Sequence, residues 1–191
     1  LKALRAHPAF EGKISRNAVS LQMRYKYIPA PYSIYEGINK LLPGSLLTVS
    51  LQQREPEVST YWSSVEVAID GMENRFLGDY KQAIDEMEVL LKDAICNQMT
   101  AEVPLGAFLS GGIDSSTVVA LMQAQSSRPI KTFTIGFNEE GYDEAANAKA
   151  VARHLGTEHT ELYVAAEQAR SVIPLLSSLY DEPFSDVSQI P

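Results

Sequence analysis

From residue 104 to residue 180 the chain alternates short apolar runs with longer stretches at helical spacing, and few folds accept that order. The runs at 104–109, 131–136 and 159–164 read as strands. Between and after them, 114–124, 143–155 and 167–180 read as helices, the second stopped by Gly156. Parallel strands cannot be joined by a tight hairpin and need a crossover, which a helix supplies. Strict alternation with short connections therefore predicts an α/β fold, a parallel sheet with flanking helices.

Upstream the pattern changes. Ile14, Ala18, Leu21 and Tyr25 share one helical face, ended by Pro29 and Pro31. Residues 45–49 read as a short strand, and a weaker strand is expected near Tyr61 and Trp62. The stretch 70–78 has two glycines and no clear period, so it reads as a linker. After it, Tyr80, Ala83, Ile84, Met87, Leu90, Leu91, Ala94 and Ile95 define the strongest helix, with Asp79 as its N-cap. The expected organisation is one domain over 1–70, a linker at 71–78 and a second domain over 79–191.

In an open parallel sheet, ligands collect beyond the carboxyl ends of the strands. The sequence at the first such end is Ser110-Gly111-Gly112-Ile113-Asp114-Ser115-Ser116. Two glycines let backbone amides turn toward one point, and the following helix adds free amides and a partial positive charge, which together suit an anion. Ser110, Ser115 and Ser116 can donate hydroxyl hydrogen bonds to phosphate oxygens. A carboxylate beside phosphate needs a cation between them, which assigns Asp114 to Mg²⁺; the alternative is that Asp114 and the serines only cap the helix. Neither a G-x-x-x-x-G-K-[ST] loop nor a G-x-G-x-x-G turn after a strand is present.

Charge narrows the ligand class. A net charge of −8, from 16 basic and 24 acidic residues, argues against a nucleic-acid or anionic-membrane surface. No window approaches 18 consecutive apolar residues and the first residues lack a signal-peptide core, so the expectation is a cytoplasmic protein. The one cysteine, Cys96, falls inside the helix after Asp79 and reads as a small packing residue. His7, His154 and His159 are too scattered for a metal site or a triad, and are expected at the surface or a sheet edge.

The motif S-G-G-x-D-S between strand and helix resembles the PP-loop of the N-type ATP pyrophosphatases, an adenine nucleotide alpha hydrolase-like fold. "LSGGIDSS", "TFTIGF", "YDEAANAKAVARHLGTEHTEL" and "LYDEPFSDVSQIP" in that order are similar to the synthetase domain of glutamine-hydrolysing asparagine synthetases. Upstream, "YKYIPAPYSIYEGINKLLPGSLL" resembles the close of that family's glutaminase domain, an α+β Ntn-type fold. The resemblance implies an ATP-dependent carbon–nitrogen ligase in which aspartate and ATP give β-aspartyl-AMP and pyrophosphate, and ammonia from glutamine then displaces AMP. It implies ATP and Mg²⁺ as cofactors, with aspartate or another carboxylate, glutamine and ATP as small-molecule partners, no nucleic acid, no membrane, and a homodimer as a candidate assembly.

Carried over residue by residue, the resemblance places pyrophosphate on Ser110, Gly111, Gly112, Asp114, Ser115 and Ser116, and the adenosine part on Leu109 and Ile135. Sheet core explains Ile135 equally well. Asp143 and Glu144 read as a helix cap. Asp181, Glu182 and Asp186 either face the substrate pocket or form a solvated loop. Some asparagine-forming members have a threonine-rich stretch with an arginine there, so this acidic stretch leaves the acceptor carboxylate open.

Two parts of the family machinery have no counterpart in these residues: the N-terminal cysteine nucleophile and the later S-G-x-G-S-D-E loop. We therefore expect a fragment of a longer protein, its last residues starting a further helix near Asp186, with no catalytic residue of its own and weak ATP binding at most. Two other readings stay open: a non-catalytic nucleotide sensor, and another PP-loop ligase acting on a different carboxylate.

Overall fold

The computed structural model describes residues 1–52, 55–137, 145–186 and 189. The chain forms two compact units, Leu1–Arg75 together with Ser171–Ile190, and Phe76–Arg170.

The first unit begins with α1 (Lys2–Arg5) and α2 (Arg16–Tyr25). Ser15 caps α2 by accepting a hydrogen bond from the Ala18 amide, so the helix starts two residues after Ile14. It stops at Tyr25, ahead of both prolines, because Lys26 takes a left-handed conformation and its N–H returns to the Gln22 carbonyl. Ala18 packs with Ile28 and Ile34 in a small core against Leu1 and Tyr35. β1 (Ser45–Thr48) pairs antiparallel with β2 (Glu57–Thr60), which ends just before Tyr61 and Trp62. The expected strand is thus displaced toward the polar residues that precede the aromatics. α3 (Ser64–Glu73), capped by Ser63, continues through Gly71, so the first four residues of the aperiodic stretch 70–78 are helical.

In the second unit α4 (Tyr80–Gln98) starts on a reciprocal pair: Asp79 accepts from the Gln82 amide, and the Gln82 side chain accepts from the Asp79 amide, both at 2.9 Å. β3 (Gly106–Phe108), α5 (Ile113–Gln125), β4 (Lys131–Phe137), α6 (Ala145–Leu155) and β5 (Glu158–Val164) follow. Among the described residues the three strands form a parallel sheet in the order β3-β4-β5, as the alternation predicts. Asp143 and Glu144, expected to open α6, lie outside the described residues.

α6 packs on β4 and β5, and α5 touches both α4 and α6. Ala145, Ala148 and Ala152 line one side of α6 and are buried, which lets the helix backbone come close to the sheet. Leu109, Val119, Ala148 and Ala152 form the core, with Ala107, Val151 and Leu155 against it. The opposite sheet face stays open: Phe108 is 79% exposed, and Phe133 and Leu162 are exposed too. Cys96 is exposed on α4, so it does not serve as the packing residue expected there. No described helix is long and apolar enough to cross a membrane.

The final helical stretch is broken. α7 (Ala166–Val172) gives way to a 3-10 turn at Ile173–Leu175 and then to α8 (Leu176–Leu179). Pro174 sits at the start of that turn, where it lacks the N–H an α-helix would use. Ser171–Ile190 belong to the first unit.

Asp79→Ala should destabilise the second unit by about 1 kcal/mol in denaturant titration, since it removes one of two reciprocal cap bonds. A second expectation concerns Lys149, which holds Glu161 at 2.8 Å across α6 and β5. The hydrogen bond from Lys149 keeps the Glu161 carboxyl below the usual range against some desolvation, and the same bond raises the Lys149 ammonium. Glu161 thus stabilises the fold above its unfolded value of 4.5 and loses this as pH falls through its lower folded value. Lys149 stabilises below its unfolded 10.5 and loses this as pH rises through its higher folded value. The stability gap between the unmodified chain and Lys149→Met should therefore be widest near neutral pH and narrow toward both extremes, in titrations across pH.

Candidate functional site

The site is assembled where β3 meets α5. The Leu109 amide donates to the Phe133 carbonyl at 2.9 Å, extending the parallel ladder one residue past β3. The Leu109 carbonyl accepts from the buried hydroxyl of Thr134. Leu109 is 1% exposed, its side chain enclosed in the core and both of its backbone groups hydrogen-bonded. Thr134 carries no motif signal. The alternation along β4 that buries Thr132, Thr134 and Gly136 is the pattern that marks it.

Beyond Leu109 the chain turns sharply, and the two glycines do different work. Gly111 has φ of +78°, and a Cβ there would lie 2.7 Å from the Ala148 amide nitrogen and 2.8 Å from Asn147. Packing against α6 alone requires glycine at that position. Gly112 has φ of −73° and ψ of 164°, which any residue adopts, and a Cβ there would only reach ordinary contact with Ser110 Oγ at 3.4 Å. Nothing in the described fold requires Gly112 to lack a side chain. As the N-cap of α5 it also leaves the first-turn amides without a side-chain partner.

The serines form a compact cluster. Ser115 Oγ lies 2.9 Å from Ser110 Oγ, accepts from the Ser110 amide and donates to the Gly112 carbonyl, both at 3.3 Å. Ser110 Oγ also accepts from the Gly112 amide. Ser116 Oγ is buried without a hydrogen-bond partner among the described residues. Asp114 lies exposed in the first turn of α5, and its carboxylate makes no hydrogen bond or ion pair among the described residues. The arrangement is an open turn with free amides, hydroxyls on one side and a carboxylate at the rim, which can hold an anion and a cation together. No group of three or more His, Cys, Asp or Glu that could bind a metal occurs among the described residues, so a metal here would share Asp114 with oxygens of a ligand.

Other sequence candidates fall elsewhere. Ile135, half-buried on β4, is paired with Leu162 of β5 and lies on the open sheet face. Asp181 and Glu182 belong to the first unit. Asp181 accepts from the Lys2 amide at 2.9 Å, and this bond holds its carboxyl below the usual range. Glu182 is bound by the Ile34 amide and by Lys40, both at 2.6 Å. Asp181 is exposed and Glu182 half-buried, and with Pro183 and Phe184 they line a cavity within the first unit. Asp186 is exposed and not without partners. His159 is half-buried on β5, its Nδ1 2.9 Å from Thr132 Oγ1 and its Nε2 buried without a partner among the described residues. Asn147 and Ala148, which shape the turn through Gly111, carry no motif signal of their own.

Residues 86–191 match the Asparagine synthase family, and residues 1–62 match a Glutamine amidotransferase domain. A protein of Methanocaldococcus jannaschii provisionally named a glutamine-hydrolyzing asparagine synthetase is 38% identical over 93% of this chain, which covers 33% of that relative. One of Mycobacterium tuberculosis with the same provisional name is 32% identical over 95% of the chain and 27% of its own length. Asparagine synthetase (glutamine-hydrolyzing) 1 of Bacillus subtilis is 29% identical over 94% of the chain and 27% of its own length. The chain spans about a third or less of the relatives it matches. With the match covering its parallel sheet and serine turn, and relatives above 30% identity along nearly all of it, the chain belongs to the asparagine synthase family.

Proposed function

We propose that the chain contributes the end of a glutaminase domain of Ntn type, over 1–70, and the first part of a PP-loop synthetase domain, over 79–191, joined at 71–78. The whole protein is then a cytoplasmic, homodimeric ligase that makes asparagine from aspartate, ATP and glutamine. Oxygen of the aspartate side-chain carboxylate attacks the α-phosphorus of ATP, the bond to the β-phosphate oxygen breaks, and pyrophosphate leaves. Ammonia released from glutamine then attacks the activated carbonyl carbon, and AMP departs with the electron pair of the broken bond.

This chain's residues serve the first step. The uncapped amides at the start of α5 and the hydroxyls of Ser110, Ser115 and Ser116 would take the pyrophosphate oxygens. Gly112 would let those oxygens approach the backbone, and Ile135, half-buried on β4, would meet the adenosine part. Asp114 would hold Mg²⁺, which supplies charge neutralisation of the phosphates. The observation that carries the reading is Gly112, a glycine that the fold does not need, at the uncapped start of a helix.

ATP–pyrophosphate exchange on the full-length protein tests the reading, with L-aspartate compared against other carboxylates; absence of aspartate-dependent exchange overturns it. Asp114→Asn should lower exchange by roughly a hundredfold and weaken its Mg²⁺ dependence, as removal of a metal-held charge at phosphate implies. The two glycines should separate in the same assay. Gly112→Ala should leave stability unchanged or raise it by about 0.4–1 kcal/mol while depressing exchange. Gly111→Ala should cost about 1–2 kcal/mol or more in thermal denaturation, from the left-handed backbone and the clash with α6.

A further inference from the structure

Residues 178–186 fall within the match to the Asparagine synthase family, yet they are stitched into the unit whose first 62 residues match the Glutamine amidotransferase domain. Besides the bond from the Lys2 amide to Asp181, three further sets of bonds fasten them. Lys2 Nζ donates to the Ser178 and Leu179 carbonyls at 2.8 and 2.9 Å. The Ser185 amide donates to the Lys26 carbonyl at 2.7 Å. Between them Glu182 uses both oxygens, Oε1 accepting from the Ile34 amide and Oε2 from Lys40 Nζ, each at 2.6 Å.

The middle fastening differs in kind from the outer two. Lys40 Nζ also donates to the Ile28 carbonyl at 2.6 Å, so the pair is tied to the backbone of two residues of the small core, Ile28 and Ile34. The Glu182 side chain is 16% exposed and the Lys40 side chain 33%. A carboxylate this far from water, with an ammonium and a backbone N–H on its two oxygens, fixes one position of the strand of chain that bears it. The stretch follows β5 and α7 in the chain.

We propose that Glu182 is a positioning residue which, through Lys40, pins the synthetase-matched strap to the amidotransferase-matched unit and thereby keeps glutamine hydrolysis in step with use of its ammonia. This role rests on the function proposed above. It belongs to neither half-reaction, and it shows only in their coupling.

The test uses the full-length protein with Lys40→Met and Lys40→Arg. Two quantities are read: glutamate released per amide product formed, and ammonia-dependent amide formation. Lys40→Met should raise the glutamate-to-amide ratio roughly twofold or more while ammonia-dependent formation holds, and Lys40→Arg should restore the ratio, because it keeps the charge. An unchanged ratio in Lys40→Met, or an equal fall in both activities, overturns the proposal. Hydrogen exchange of the Ile34 amide in Glu182→Met gives a readout independent of turnover, and should quicken roughly tenfold as one charge-assisted bond is lost. Unchanged exchange shows that the anchor is absent. Quickened exchange in a protein that makes no amide product from glutamine keeps the anchor and removes the coupling role together with the proposed function.

Discussion

The contact between Gly111 and the backbone of α6 is the constraint on which the second unit depends. Because a side chain at 111 would collide with Ala148 and Asn147, the turn after β3 can be only as tight as the glycine allows. That closeness brings Ala148 and Ala152 onto Leu109 and Val119, and so closes the core. It also sets the direction in which α5 departs and where its first amides lie. Packing and the candidate site are therefore one piece of geometry, and a change made for either is felt by both.

Much of this was legible in the sequence, and the legible parts share a physical cause. The parallel sheet and α4 follow from periodicity and from Asp79, signals that act over a few residues and do not wait on partners elsewhere. β2 was misplaced because its residues, Glu57–Thr60, are mostly polar and exposed, so the aromatics next to it drew the expectation. α3 was missed because Gly71 weakens a helix whose apolar residues Val65, Ile69 and Met72 nonetheless keep helical spacing. Pro174 was visible, but its effect, a 3-10 turn between two short helices, depends on how the neighbouring turns close.

At the site, the motif itself was readable and the division of labour within it was not. Gly111 and Gly112 look alike in sequence. Only the position of α6, set by residues some 35 places further on, shows that one is demanded by packing and the other is not. Asp181 and Glu182 make the same point. They stand beside a proline in an acidic stretch, and the groups that hold them, on Lys2, Ile34 and Lys40, lie more than 140 residues away along the chain, so no local pattern announces these bonds.

The uncovered face of the sheet has a consequence for how such a chain behaves in water. Phe108 and Phe133 are paired on neighbouring parallel strands, Leu162 lies beside Ile135 on the same face, and all but the half-buried Ile135 are exposed among the described residues. Detergents, crowding and concentration will therefore act on these residues as solvents act on a core, and a substitution such as Phe108→Lys changes solubility more than it changes folding.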